Sequence, residues 1–306
     1  MRTYLLLIFC ATLYGSNFVF GSLLLQEFPA MHLSAYRLVI SSMFLMGYLI
    51  LSKRMIRLTA RDIIYLIPIA FIGMLLHQVS FFTGLQTIDA TTASLILSLS
   101  PIFTAILARV FLRESFTLRM AVGSLVALTG VFFVVSQGKG LHLSLTTGMG
   151  IMFICMLAFS GSTILMRKLT QKMDALQATA YSTLLGCLLV CPVALWQEPN
   201  EQSSHSLGWW ILLIGSALLI QGLCAIIWNN QIRKVGAAKA SVFLNLQPFV
   251  AMVLGYLILG NPVTFTQVGG SILIVGGVIL STLQNMSKYT SYNKILTPST
   301  EKNNSI

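Results

Sequence analysis

Apolar residues in this chain gather into long runs separated by short polar breaks, with no alternation of the kind a strand would show. Runs of about 20 residues, the length that crosses a ~30 Å hydrocarbon core as a helix, fall near 4–25, 32–51, 63–85, 91–112, 119–136, 148–166, 176–196, 209–232, 239–259 and 266–284. The pattern predicts an all-α polytopic membrane protein with ten transmembrane helices, five in each half. Arg2 ahead of the first run gives it the look of a secretory leader. No small-x-small cleavage site follows Leu25 and nine further spans do, so a retained first helix is expected.

The stretch from Ala90 to Val131 returns 147 residues later, without a gap, as Ala237 to Val278. The two copies share 13 identities in 42 positions, among them Ala93/Ala240, Ser94/Ser241, Pro101/Pro248, Gly123/Gly270 and Gly130/Gly277. Apolar bias matches scattered leucines, but it does not bring a proline, an Ala-Ser pair and the glycines into one register. A duplication is expected: a first five-helix repeat over 1–136, a second over 137–284, and a polar tail over 285–306 that is expected to be disordered. An odd number of helices per repeat inserts the second copy upside down relative to the first. Inverted repeats of this kind point to secondary transporters, in which two similar bundles alternate around a central site.

Composition agrees with the bilayer. Of 306 residues 56% are hydrophobic and only 9% charged, too few charges to cover a soluble globule of this size. The formal charge of +11 would suit nucleic acid, but its distribution argues against that partner. Lys53, Arg54, Arg57 and Arg61 fill one loop, Arg113 and Arg119 a second, Arg167, Lys168 and Lys172 a third, and Arg233, Lys234 and Lys239 a fourth, while the alternate loops hold only Lys139. The positive-inside rule places both termini in the cytoplasm.

Candidate chemistry lies within the spans. Pro101 and Pro248 sit near the middle of the fourth and ninth runs, where a proline frees the carbonyl four residues back, at Leu97 and Leu244. Ser98 and Ser100 occupy the opened turn in the first copy, Asn245 and Gln247 in the second. Either these side chains merely satisfy freed carbonyls, or they build a polar site between the repeats. Tyr14 and Asn17 share a face of the first helix, His77 and Phe81 a face of the third, and Gln221 and Trp228 a face of the eighth. Each alone reads equally as an interhelical contact; together they outline an aromatic, weakly polar cavity. His77 is the one histidine deep in a span, a candidate for proton coupling. Arg37 lies a turn inside the outer end of the second helix, where it either reaches the surface or meets an anionic solute, and Arg109 is expected to snorkel. No carboxylate occupies the middle of a span, which disfavours the commonest intramembrane ion carrier.

The remaining signals are plainer. Gly123 with Gly130, and Gly270 with Gly277, project to one helix face each, for packing within the bundle or for a homodimer seam. Cys187 and Cys191 stand at i,i+4 and read as small packing residues, with no disulfide or metal site implied. No GxxxxGK[ST], HExxH or GxSxG motif is present, so neither an ATP-driven pump nor an enzyme is expected, and no cofactor.

The run SLILSLSPIFTAILARVFLRE followed by GSLVALTGV, and its echo SVFLNLQPFVAMVLGYLILGN followed by GGSILIVGGV, resemble the EamA family of the drug/metabolite transporter superfamily. The resemblance covers residues 4–284. It implies a plasma-membrane carrier, commonly an exporter of amino acids, related metabolites or drugs. Two positions depart from the pattern: Asn261 stands where a glutamate often ends the second proline helix, as Glu114 does in the first, and Gln247 replaces an acidic residue. The expectation is a secondary exporter of a small organic solute working by alternating access. A non-transporting membrane sensor or assembly protein, and a flippase for a lipid-linked carrier, stand as alternatives.

Overall fold

In the computed structural model, which describes residues 2–88, 90–115, 117–136, 146–197, 206–259 and 264–282, ten helices follow the ten apolar runs. They are α1 (Arg2–Leu24), α2 (Ala30–Leu51), α3 (Ala60–Thr87), α4 (Ala90–Leu97 resuming as Ser100–Leu112), α5 (Leu118–Ser136), α6 (Thr147–Leu169), α7 (Ala175–Gln197), α8 (Leu207–Val235), α9 (Ala237–Ser241, Val242–Leu246 and Gln247–Leu259) and α10 (Phe265–Thr282). Local chemistry sets the ends. Pro29 precedes α2, where its missing N–H costs nothing. The Asp62 carboxylate accepts from the Thr59 N–H at 2.9 Å and from the Thr59 hydroxyl at 2.7 Å, starting α3. Arg113 in the left-handed region stops α4, and Gly236, with φ of 93°, makes the turn from α8 to α9. Among the described residues, eight helices are long and apolar enough to cross a bilayer, and α5 and α10 are shorter apolar helices.

The distribution of side chains inverts that of a soluble protein. Leu51, Leu118, Trp196 and Phe265 are exposed on the outside, the arrangement expected where the solvent is lipid. Serines and threonines lie within. Ser34, Ser98, Thr170 and Thr179 donate to carbonyls four residues back, so their hydroxyls are satisfied without water.

Two departures from regular helix occur in each half at nearly matching places. Ile69–Leu76 in α3 and Ala217–Cys224 in α8 are π-helical. In α4 the turn at Ser98 and Leu99 tightens, with Leu99 N bonded to the Ile96 carbonyl at 3.1 Å, and in α9 the corresponding Val242–Leu246 stretch is a 3₁₀ helix. The prolines therefore do not kink continuous helices as the sequence suggests. Pro101 and Pro248 stand in the first turn of the segments Ser100–Leu112 and Gln247–Leu259, where proline is well tolerated.

Packing crosses between the halves. α1 runs along α9, α2 along α7 and α8, α3 against α6 and α7, α4 against α6 and α9, and α5 against α10. In the last pair a Cβ on Gly123 would strike the Gly277 carbonyl, and one on Gly130 the Gly270 carbonyl, so the backbones touch directly. These glycines serve contact within one chain. The five cysteines are all free, with the Cys187 and Cys191 sulfurs 3.6 Å apart.

Candidate functional site

The tightened turns and π segments border one central cavity of about 160 Å³. Its walls come from α1, α2, α3, α4, α6, α7, α8 and α9, while α5 and α10 contribute no lining residue. A π turn widens the helix by one residue and re-aims the side chains beyond it. In α3 that brings His77, Gln78 and Phe81 onto the cavity wall, and in α8 Gln221, Ala225, Trp228 and Asn229.

Eight of the sequence-derived candidates line this cavity: Tyr14, Asn17, Arg37, His77, Phe81, Gln221, Trp228 and Gln247. Two others, Ser98 and Asn245, are not among its lining residues. Ser98 is buried and donates to the Ser94 carbonyl at 2.7 Å; its neighbour Ser100, two residues on and past the tightened turn, reaches the wall. Asn245 is buried in the 3₁₀ stretch of α9, with Leu244 and Gln247 on the wall in its place. Asn261, Lys139 and the 285–306 tail lie outside the described residues.

Aromatic rings form much of the lining. Tyr14 and Trp228 meet edge-on at 5.7 Å, Phe18 and Phe81 at 5.5 Å, and His77 sits 5.5 Å from Phe159 and 6.3 Å from Phe81. Polar groups punctuate the rings. Asn229 Nδ2 donates to Thr179 Oγ1 at 2.8 Å, tying α8 to α7, and the Ser41 hydroxyl has the Arg37 carbonyl and Gln221 Oε1 within reach. Gln78, Phe159, Ser162, Thr163, Thr179, Thr183 and Asn229 also line the cavity, and sequence reasoning missed them. Gln78 and Asn229 adjoin candidates already named. Thr179 and Thr183 were readable only as an i,i+4 polar pair on α7.

Arg37 is wholly buried, and its guanidinium lies 5.4 Å from the ring centre of Phe82. Of the two alternatives the sequence leaves for this residue, reaching the surface is excluded. Arg109, in contrast, is exposed near the end of α4.

The bundle's two ends are built differently. At the end where α4, α6 and α8 finish, Glu114 Oε1 accepts from Arg167 Nε at 3.2 Å and from Ala237 N at 3.2 Å, and Oε2 accepts from Ala238 N at 3.1 Å. Arg167 Nη1 also donates to the Arg233 carbonyl. Nearby, Asp174 lies 3.7 Å from Arg54 and 3.6 Å from Arg233. At the opposite end Phe28, Tyr36 and Trp210 form an aromatic cluster, with Trp210 at 5.1 Å from Phe28 and 5.3 Å from Tyr36.

Known proteins of the same build exist. A family model described as the EamA-like transporter family matches residues 1–136 and 146–283. The uncharacterized transporter YyaM of Bacillus subtilis (strain 168) is 26% identical over 298 residues, covering 96% of this chain and 97% of that one. An uncharacterized transporter of Archaeoglobus fulgidus is 26% identical over 284 residues, covering 92% and 98%. A solved crystal structure shares the fold with a TM-score of 0.79 at 16% identity, covering 93% of this chain and 99% of its own. A helical bundle with a lipid-compatible exterior, a polar and aromatic cavity at its centre, and a family match across nearly its whole length make this chain a multi-pass membrane protein of the EamA-like transporter family, in the drug/metabolite transporter superfamily.

Proposed function

We propose that the chain is a secondary carrier of the plasma membrane that exports a small organic solute by alternating access. In this reading residues 1–136 and 137–284 are inverted five-helix repeats, both termini are cytoplasmic, and the Glu114 end faces the cytoplasm. The observation that carries the reading is the way helix contacts exchange between the halves. Shifting by 147 residues turns α1 on α9 into α6 on α4, turns α3 on α7 into α8 on α2, and returns α2 on α7 and α5 on α10 to themselves. Such exchange is what a two-fold axis relating the halves produces, five helices per half would set that axis in the membrane plane, and the central cavity is bordered by the elements it relates. Rocking one half against the other then opens either end in turn. Tyr14, Asn17, His77, Phe81, Gln221, Trp228 and Gln247 hold the solute, with Pro101 and Pro248 at the hinges.

Two measurements test this. Thr179→Cys, a little over one turn inside the Glu114 end, and Phe18→Cys, toward the aromatic end, report opening through labelling by a membrane-impermeant maleimide applied from each side. Both are expected to label, each from its own side, and a solute that raises one rate should lower the other. An end that never labels under any condition refutes the rocking scheme. Cells overproducing the wild type should also release a compound that cells producing a Trp228→Ala, Gln247→Leu variant retain. Equal media, with both proteins confirmed in the membrane, speak against export.

A further inference from the structure

Arg37 is the one side chain among the cavity-lining residues that is charged at every working pH, and no described Asp or Glu shares that lining. It is wholly buried, and its Nε, Nη1 and Nη2 have no hydrogen-bond partner. The described carboxylates are engaged elsewhere or remote: Asp62 with Thr59, Glu114 with Arg167 and the start of α9, Asp174 with Arg54 and Arg233, and Glu27 in the turn between α1 and α2. A guanidinium carries five N–H donors and stays ionised. Burying it with only the face of Phe82 for company is strongly unfavourable unless something else supplies negative charge.

We propose that Arg37 is the anion-binding residue of the cavity, and that the solute is an organic monocarboxylate with an apolar, ring-bearing body. The proposal deepens the carrier reading and rests on it for the solute's passage, though not for its binding. The planar fork of arginine matches a carboxylate through two parallel N–H donors, and one fixed cation balances one negative charge. A phosphate monoester, close to dianionic at neutral pH, would leave charge uncompensated. A zwitterionic amino acid would bring an ammonium group into a wall without a carboxylate. Gln78 Nε2 and Asn17 Oδ1 are also buried without partners on the same wall. The first suits the second carboxylate oxygen and the second suits a neutral O–H or N–H of the solute. Tyr14, Phe81, Phe159 and Trp228 supply ring faces and edges for the body.

The test uses the full-length protein in lipid nanodiscs and five probes that share one ring: 3-phenylpropionate, its amide, 3-phenylpropylamine, phenylalanine and phenyl phosphate. Binding is read from tryptophan fluorescence, since Trp228 lines the cavity. The expected result is that 3-phenylpropionate binds most tightly and competes with the others. Arg37→Gln should weaken it by roughly thirtyfold or more, as loss of a buried charge partner does, while amide binding stays within about twofold and the melting temperature holds or rises because an uncompensated charge has been removed. Arg37→Lys, which keeps the charge and loses the fork, should fall between. The wild-type ranking needs no variant to fold. Equal or tighter binding of the amide, amine or zwitterion, or no carboxylate binding at all, overturns the proposal, and so does undiminished binding to a folded Arg37→Gln protein. Carboxylate binding without counterflow in proteoliposomes supports the anion site and refutes the carrier. Flux of the amine without carboxylate preference does the reverse.

Discussion

The end of the bundle held by Glu114 and the end held by Trp210 join the same two halves of the chain with opposite chemistry. At the first, one carboxylate accepts three N–H donors, one from an arginine of α6 and two from the backbone of Ala237 and Ala238 at the start of α9. The Glu114 and Arg167 side chains are only 17% and 16% exposed, so these bonds act in a medium of reduced dielectric and are directional. At the second end three rings meet at centroid distances of 5.1 to 6.3 Å. Ring contacts tolerate sliding and reorientation, whereas a carboxylate seated on two backbone amides is either in place or lost. In the carrier reading proposed above, one end is therefore a latch and the other a compliant plug.

Glu114→Ala should have the largest effect. Removing three charge-assisted bonds and leaving the Arg167 charge unanswered shifts the balance toward opening of that end by about 2–3 kcal/mol, seen as a tens-fold faster labelling of Thr179→Cys with little change at Phe18→Cys. Trp210→Ala should act at the opposite end only. Two ring pairs at roughly 0.5–1.5 kcal/mol each predict a rise of about fivefold or more in Phe18→Cys labelling, insensitive to salt. Smallest is Asp174→Asn. Its partners Arg54 and Arg233 are 61% and 43% exposed and Asp174 itself 41%, so the pairs contribute about 0–1 kcal/mol, and labelling should stay within about twofold and respond to 1 M salt as the wild type does to the same addition. An Asp174 effect as large as that of Glu114 would erase the distinction between latch and surface pair.

These differences explain what could be read from sequence. Helix number and approximate bounds were legible because lipid imposes one length on every span. Asn17, Arg37, His77, Gln221 and Gln247 were legible because such residues are conspicuous in apolar runs, whereas Gln78 and Asn229, of the same residue types, were passed over beside His77 and Trp228. Ser98 and Asn245 fall outside the lining for a geometric reason: the turn between Ser98 and Ser100, like the matching stretch of α9, is tighter than α, so residues two apart no longer share the expected face. The π segments of α3 and α8 were not read from the sequence, although Pro68 stands immediately before the first of them. The Phe28, Tyr36 and Trp210 cluster was equally hidden, as aromatics near membrane interfaces are common and their meeting depends on α2 lying beside α8. Arg37 was visible as a charge but not as an unpaired one. Glu114 was visible only as a residue at a helix end, because its partners lie 53 and 123 or more residues away.

Every helix from α1 to α5 makes its main contacts with helices beyond residue 146. Neither half is thus a domain in the sense of a part that folds and persists alone: cut free, each would turn its serines, threonines and touching glycines toward lipid. The protein should survive a break in the chain between residues 136 and 146 if both pieces are made together, yet neither piece should accumulate by itself. If the halves are the inverted repeats proposed above, a half-length ancestor with these faces would have been stable only as a pair of copies threaded through the bilayer in opposite senses, and fusing them in one chain would have fixed that pairing and freed the two cavity walls to diverge.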